Sequence, residues 1–366
     1  MKFSCTKAEL ERAVGIAERF TGKNAALPVL GHVLLAAEDN SLIVTGTNLE
    51  HAVQFRVPAR VARPGQISVP AKVFSSLLQS LEDEKVEAEG ERGNLHVRTQ
   101  SRESRLNGAN PDDFPIIPKI KKTEVFSAEA AQLARSLSKT LPAVSTSEFK
   151  PELSGVFFKA GKDTLTLCAT DTFRLAECAV PLAKDHAGPH TPFIVPHRAA
   201  QELARILEGE QGDVYMTLGD NQLLVETGRG KVISRLIDGN FPDYKAIIPT
   251  HFTTSVHLER DDIIRGVRTS SIFASKLAEV TLRFGQKQVQ IAAANPEIGE
   301  YRTEHPAALN GKEIAMSFNW RYFLDGIQAL EDEEIFFGCN QESSPALLRN
   351  KSHTSFSYVV MPIRLT

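Results

Sequence analysis

The chain has 366 residues, of which 42% are hydrophobic and 24% are charged, and its formal net charge is −3. This composition is typical of a soluble globular protein, and the length predicts two or three domains. No apolar run reaches the roughly 18 residues that a membrane-spanning helix needs, so we expect no membrane partner. The near-neutral charge excludes a generally basic protein, and any affinity for DNA must come from the pattern of charges.

Two further features predict the compartment. The first residues place Glu9 soon after Lys2 and Lys7 with no apolar stretch between them, which is unlike a secretory signal peptide. The four cysteines lie far apart without a Cys-x-x-Cys pair, which favours free thiols over a disulfide framework or a zinc site. We therefore expect a cytoplasmic protein.

A short apolar strand that runs into an amphipathic helix occurs six times along the chain. The helices are predicted at 8–20, 73–81, 130–141, 199–207, 263–271 and 322–330. The units recur about every 60 residues, so that they pair into three domains of about 120 residues each. The predicted domains are 1–122, 123–250 and 251–366, and their net charges are +2, −3 and −2.

Sequence echoes support this repeat. The run 42–50 (LIVTGTNLE) aligns with 165–173 (LTLCATDTF) and more weakly with 289–297 (VQIAAANPE). The segment 113–118 (DFPIIP) recurs at 241–249 (FPDYKAIIP). Several landmarks in the same order indicate a triplicated chain rather than chance similarity.

The segments between the helices have the pattern of strands. Turn signals such as Asp39-Asn40 and Gly285-Gln286 precede runs with β-branched alternation, which is typical of antiparallel hairpins. Each domain is therefore expected to be α+β, with two helices packed on two small antiparallel sheets. The segments 117–123 and 248–254, which contain proline and polar residues, are predicted to link the domains.

The sequence lacks the common catalytic and cofactor motifs. There is no Gly-x-Ser-x-Gly, no Walker phosphate loop and no His-Glu-x-x-His, and the ten histidines do not pair at ligand spacing with cysteine or acid. We therefore expect no catalytic residue, no metal and no cofactor. A hydrolase or transferase built around Thr170, Asp171 and Arg174 is a much weaker alternative. On their own these residues indicate a turn in which Asp171 pairs with Arg174.

Basic residues recur on the predicted helices. Arg12, Arg19 and Lys23 lie on one helical stripe, opposite Leu10 and Val14. Comparable pairs are Arg135 with Lys139, Arg198 with Arg205, and Arg265 with Arg268. An ordinary solvated face with acidic partners, such as Asp325 four residues after Arg321, explains any single stripe. Recurrence across the repeats favours a surface that contacts phosphates without reading bases.

The triplicated organisation resembles the bacterial DNA polymerase III beta subunit family, the sliding clamps, over essentially the whole chain. The residues that carry the resemblance are the runs 27–30 (LPVL), 169–176 (ATDTFRLA), 238–244 (DGNFPDY) and 358–365 (YVVMPIRL). The resemblance implies two chains joined head to tail into a ring around double-stranded DNA, which it binds without sequence preference. It also implies no reaction, because the ring tethers the polymerase to its template by topology. A monomeric peptide-binding scaffold without a topological DNA role is the alternative.

The resemblance further implies a partner pocket between the second and third domains. In the family, this pocket receives a short Gln-, Leu- and Phe-containing peptide from the polymerase III alpha subunit, the clamp-loader delta subunit, and other polymerases and repair proteins. Matched by motif, the pocket here would comprise Leu153, Thr170, Phe173, Arg174, Leu175, Pro242, Ile247, Ser344, Val359, Met361, Pro362, Ile363 and Arg364. Phe173 departs from the family pattern, since many members have histidine there.

Two other residue sets follow from the resemblance. The DNA-facing set would be Arg12, Arg19, Lys23, Arg135, Lys139, Lys150, His197, Arg198, Arg205, Arg265 and Arg268. The dimer contact would comprise Lys72, Leu106, Ile272, Phe273, Glu297, Glu300 and Glu304. Within that contact, the apolar residues are expected to dominate, because charge pairs at a rim contribute little each.

Overall fold

The structure is a computed structural model that describes residues 1–22, 26–118, 120, 124–147, 149–183 and 191–364. The helices are α1 Lys7–Arg19, α2 Ala71–Ser80, α3 Ala130–Thr140, α4 His197–Leu207, α5 Arg260–Ser270 and α6 Trp320–Gln328. The strands in the first third of the chain are β1 Lys2–Thr6, β2 His32–Glu38, β3 Ser41–Thr47, β4 His51–Pro58, β5 Arg60–Arg63, β6 Gly65–Pro70, β7 Lys85–Glu91, β8 Asn94–Arg98 and β9 Glu103–Asn107.

The remaining strands belong to the middle and the final third of the chain. The middle strands are β10 Glu124–Glu129, β11 Gly155–Ala160, β12 Thr164–Thr170, β13 Arg174–Pro181, β14 Phe193–Pro196, β15 Asp213–Leu218, β16 Gln222–Glu226 and β17 Gly230–Arg235. The final strands are β18 Thr254–Glu259, β19 Glu279–Phe284, β20 Gln288–Asn295, β21 Gly299–Pro306, β22 Ala308–Gly311, β23 Ile314–Asn319, β24 Glu334–Cys339, β25 Ala346–Asn350 and β26 Phe356–Val360.

All six predicted helices are present, which confirms the strand–helix repeat. Five of them begin one to three residues before the predicted start, and in each of these the preceding strand ends at the residue just before the helix. The first turn of α5, for example, is Arg260-Asp261-Asp262. Such polar first turns have no apolar period, so a prediction based on periodicity starts too late.

The chain divides into two compact units, each with two antiparallel sheets. The first unit contains Met1–Ala134, Gln201–Leu236 and the short stretch that begins at Leu182. Its sheets have the strand orders β5-β1-β7-β8-β9 and β10-β15-β16-β17-β4-β3-β2-β6. The second unit contains Arg135–Pro181, the stretch that ends at Ala200, and the chain from Ile237 onward. Its sheets have the orders β14-β11-β12-β13-β26-β25-β24-β18-β22 and β21-β20-β19-β23.

Two of these sheets continue from one predicted domain into the next. In the first unit β4 pairs antiparallel with β17, with Val53 opposite Val232. In the second unit β13 pairs antiparallel with β26, with Leu175 opposite Val359. The prediction of two small sheets in each domain was therefore wrong about sheet size. The pairs that join the domains link segments more than 170 residues apart, which a local sequence pattern does not reveal.

The helices bury their apolar faces as the sequence pattern predicts. In α1, Leu10, Val14 and Ala17 are fully buried. The helix lies close to β3, where a Cβ atom placed on Gly46 would lie 2.2 Å from the carbonyl oxygen of Ala17. Glycine is therefore required at this position, because any side chain would overlap the helix backbone.

Candidate functional site: an apolar groove and the basic helices

The turn between β12 and β13 is fixed by two of its own side chains. Thr170 Oγ1 donates to the carbonyl of Arg174 at 2.7 Å and accepts from the backbone N–H of Thr172 at 3.2 Å. Asp171 Oδ1 accepts from the N–H groups of Phe173 and Arg174, both at 2.9 Å. These bonds satisfy the backbone of the turn and hold Thr172 at a φ of 77°. Phe173, which lies in this turn, is 59% exposed.

The Arg174 side chain is held by three neighbours. Its Nε donates to Asp171 Oδ2 at 3.0 Å, and its Nη1 donates to Asp325 on α6. Its guanidinium carbon lies 4.2 Å from the centre of the Tyr322 ring, at the distance of a cation–π contact. The predicted pairing of Asp171 with Arg174 is confirmed.

The expected pairing of Arg321 with Asp325 was wrong. Asp325 pairs with Arg174, whereas the guanidinium carbon of Arg321 lies 5.0 Å from the centre of the Trp320 ring. The spacing rule for helices considers only partners on the same helix. Here a half-buried guanidinium from a neighbouring turn competes successfully for the carboxylate.

A groove of about 410 Å³, here called the first groove, opens beside this turn. It is lined by Phe173, Leu277, Asn319, Tyr322, Met361, Pro362, Ile363 and Arg364. The backbone N–H of Met361 donates to the carbonyl of Phe173 at 2.8 Å, and that of Ile363 donates to Ser317 at 2.7 Å. The terminal segment is thus fixed along its length and forms a preformed wall of apolar side chains, which is what a peptide-binding groove requires.

The structure places the predicted pocket residues in three environments. Five of them line the first groove: Phe173, Met361, Pro362, Ile363 and Arg364. Four are buried: Leu153, Thr170, Leu175 and Val359. Pro242 and Ile247 are exposed, while Arg174 and Ser344 are half-buried. Leu175 and Val359 pack in one core cluster with Tyr244, so these two residues belong to the core beneath the strands.

Three groove residues were missed by the sequence analysis. Leu277 is 63% exposed although it is apolar, and Asn319 accepts a hydrogen bond from the N–H of Arg321 at 3.0 Å, capping α6. Tyr322 stacks near Phe173, with ring centres 6.5 Å apart. The motifs gave no signal for these residues, because they come from segments about 100 and 150 positions after the turn.

In the first unit, two of the predicted DNA-facing arginines share one buried acid. Arg19 Nε lies 2.5 Å from Glu202 Oε2, and Arg205 Nη1 lies 2.7 Å from Glu202 Oε1. Glu202 is only 4% exposed, so both carboxylate oxygens are used by arginines. Charge-assisted bonds of this kind are stronger than bonds between neutral groups, and they fix both arginines at the surface of α1 and α4.

Arg12 is held more loosely than Arg19. Its Nη2 lies 3.9 Å from Glu210 Oε1, and its guanidinium carbon lies 5.8 Å from the centre of the Phe55 ring. Burial raises the pKa of Glu210 above its usual value, while the charges of Arg229 and Arg12 lower it. The acids of this unit therefore neutralise part of the basic stripe.

The other predicted DNA-facing residues differ in their exposure and partners. Lys139 pairs with Glu331 at 2.7 Å, and Arg265 pairs with Asp262. The side chains of Arg135, Lys150, His197, Arg198, Arg205, Arg265 and Arg268 are exposed. Desolvation lowers the pKa of His197, so it contributes little positive charge at neutral pH. Lys23 lies outside the described residues.

The predicted dimer residues are unequally accessible. Leu106 on β9 is 6% exposed, whereas Ile272 is 64% exposed. Phe273 stacks on Tyr301 with ring centres 6.0 Å apart. The charged residues Lys72, Glu297, Glu300 and Glu304 are all exposed. Ile272 is thus the apolar residue of the set that is most available for a partner.

Among the described residues, no three His, Cys, Asp or Glu side chains are grouped so that they could hold a metal ion. No helix in the described part of the chain is long and apolar enough to cross a membrane.

A chain of three helix-on-sheet repeats with basic helices has the architecture of a DNA clamp. Family models for the N-terminal, central and C-terminal domains of the DNA polymerase III beta subunit match residues 1–118, 128–243 and 245–364. The chain belongs to the DNA polymerase III beta subunit family, the beta sliding clamps. The resemblance inferred from sequence is confirmed.

Individual relatives agree with the family models. The beta sliding clamp of Pseudomonas aeruginosa is 31% identical, with 97% of this chain and 96% of the relative covered. That of Synechocystis sp. is 29% identical, with both chains fully covered. Among solved structures, the Pseudomonas aeruginosa clamp bound to griselimycin has a TM-score of 0.93 at 29% identity, and the Thermotoga maritima beta subunit has 0.93 at 25%. Both structural matches cover all of each chain. The role of this chain is that of a processivity clamp in DNA replication.

Proposed function

We propose that two copies of this chain join head to tail into a ring around double-stranded DNA. The support is a repeated rule of strand pairing. Inside the chain, β4 from the first third of the chain pairs with β17 from the middle third. In the same way, β13 from the middle third pairs with β26 from the final third. In the triplicated chain, β21 corresponds to β4 and β13, and β9 corresponds to β17 and β26. Both β9 and β21 are end strands of their sheets.

An end strand carries backbone N–H and C=O groups that can pair with another chain. Pairing of β9 in one protomer with β21 in its partner would repeat the two junctions inside the chain and close a ring of six domains. Leu106 lies on β9, and Glu300 and Glu304 lie on β21, so the residues assigned to the dimer fall on these edges. Ile272 would supply the exposed apolar contact next to them.

The basic helices would face the DNA inside the ring. Phosphate contacts from arginine and lysine hold a duplex without reading its sequence. Several of these cations already share their charge with acids such as Glu202 and Glu331. Such partly neutralised cations would keep the duplex centred while the ring slides. In this function the chain carries out no reaction of its own, and it works in the cytoplasm.

The first groove would tether the clamp's partners. Its apolar walls and the fixed Arg174 suit a short peptide with a glutamine and Leu/Phe side chains. The polymerase III alpha subunit, the clamp-loader delta subunit, and other polymerases and repair proteins would supply it. Phe173 offers an apolar ring where many family members have histidine, so aromatic side chains should bind well there.

The ring is tested with Ile272→Glu and with Ile116→Glu as the matched control. Ile116 is 94% exposed and belongs to neither β9 nor β21. The native protein and the control should have twice the chain mass of 40.2 kDa in native mass spectrometry, whereas Ile272→Glu should shift the protein toward monomer. After clamp-loader-dependent loading, the native ring should stay on nicked circular DNA and be lost when the DNA is linearised.

Two results would contradict the ring. A native protein that remains at the mass of one chain would favour the alternative, a monomeric peptide-binding scaffold. Equal loss from circular and linearised DNA would show that retention does not depend on topology.

A further inference from the structure

A second cavity, of about 300 Å³, lies in the first unit at the join of β4 and β17. We call it the second groove. Its walls are the turn between β3 and β4, the segment Pro115–Pro118, and the end of β17 with Ile233 and Arg235. None of these residues has a role in the function proposed above.

The turn in the second groove has the same hydrogen bonds as the turn in the first. Thr47 Oγ1 donates to the carbonyl of His51 at 3.1 Å and accepts from the N–H of Leu49 at 3.0 Å. Asn48 Oδ1 accepts from the N–H groups of Glu50 and His51 at 3.0 and 2.9 Å. Leu49 has a φ of 77°, equal to that of Thr172. The repeat therefore contains two turns with the same backbone conformation and the same hydrogen bonds.

The other two walls also have counterparts. The segment Pro115–Pro118 is the sequence echo of 241–249, which contains Pro242 and Ile247 of the predicted pocket. The end of β17 pairs with the start of β4, with Ser234 opposite His51. The end of β26 pairs with the start of β13 in the same way, with Val360 opposite Arg174.

The second groove exposes apolar side chains that the fold does not need at the surface. Ile116 is 94% exposed and Leu49 is 47% exposed, while Ile233 is only 6% exposed. Large apolar side chains around a concave site mark a binding surface. Exposed Arg235 forms no ion pair with any described residue, so its charge is available at the rim.

We propose that the second groove binds a short extended peptide segment of a partner protein, with two apolar side chains and a carboxylate. The apolar side chains pack on Ile116 and Leu49, and the carboxylate pairs with Arg235. Glu50 stands where the first groove has Phe173, so the second groove lacks an aromatic wall and binds such a peptide more weakly. Each protomer then offers two peptide sites of the same backbone design but different selectivity.

The test is a calorimetric titration of the native protein with the synthetic peptide Gln-Leu-Asp-Leu-Phe. Two sites per chain are expected, with the second about tenfold weaker than the first. Ile116→Glu should remove only the weak site, and Phe173→Glu should remove only the tight one. Both positions are exposed, so neither change should disturb folding. Replacing the peptide's Asp by Asn should weaken the second site several-fold more than the first.

The titration distinguishes failure of the proposal for the second groove from failure of the proposal for the first. One site per chain that is insensitive to Ile116→Glu would overturn the second groove and leave the first intact. A tight site that survives Phe173→Glu would instead contradict the first groove. Equal weakening of both sites by the Asp-to-Asn peptide would remove the role given to Arg235.

Discussion

The turns after β3 and after β12 share a backbone but differ in the residue that closes them. After β12 this residue is Arg174, which pairs with Asp171 and Asp325. After β3 it is His51, which is 5% exposed and packs edge-to-face against Phe20 at 5.1 Å between ring centres. The repeat thus determines where a turn presents its side chains, and the closing residue decides whether the turn is tied by charge or by packing.

A second pair of equivalent positions in the repeat also binds different partners in the two units. Glu202 on α4 and Asp325 on α6 occupy the same place in the repeat, since Arg198 aligns with Arg321. Glu202 binds Arg19 and Arg205, on the basic helices, whereas Asp325 binds the groove residue Arg174. The acid at this position of the repeat therefore has two different roles. In the first unit it positions arginines of the basic helices, and in the second unit it positions a residue beside the first groove.

The largest expected effect comes from Gly46, which aligns with Ala169. In Gly46→Ala the new methyl group would meet the carbonyl of Ala17, and overpacking against a backbone costs about 3 kcal/mol. Ala169→Gly, the reverse change in the other turn, should cost only about 1 kcal/mol. Urea unfolding followed by circular dichroism measures both. Equal losses would show that the two strands are equally close to a helix.

A smaller effect is expected from the acceptor residues of the two turns. Asp171→Asn keeps the bonds to the backbone but loses the charged bond to Arg174, which should cost about 1.5 kcal/mol. Asn48→Asp keeps its acceptor and has no such arginine, so its effect should stay within about 0.5 kcal/mol. Thermal unfolding at neutral pH compares them. If Asn48→Asp destabilises as much as Asp171→Asn, the ion pair does not distinguish the turns.

These comparisons also show where sequence reasoning works. The six helices and the Asp171–Arg174 pair were predicted because their signals lie within a few residues of each other. The pairing of Val53 with Val232 was not predicted, because strands of similar apolar pattern leave many partners possible. Tyr322 was missed as a groove residue for the same reason, since the turn it faces is about 150 positions earlier.

The smallest effect distinguishes Glu202 on α4 from Glu208, the residue that follows this helix. Glu202→Gln removes the carboxylate shared by Arg19 and Arg205, so both arginines gain freedom to contact phosphate. Glu208→Gln removes the same charge at an exposed position whose carboxylate forms no ion pair with described residues. The slope of log affinity for duplex DNA against log salt should steepen by about 1 in Glu202→Gln. It should change by less than half as much in Glu208→Gln. Identical slopes would mean that Arg19 and Arg205 do not face the DNA, and that Glu202 acts only within the protein.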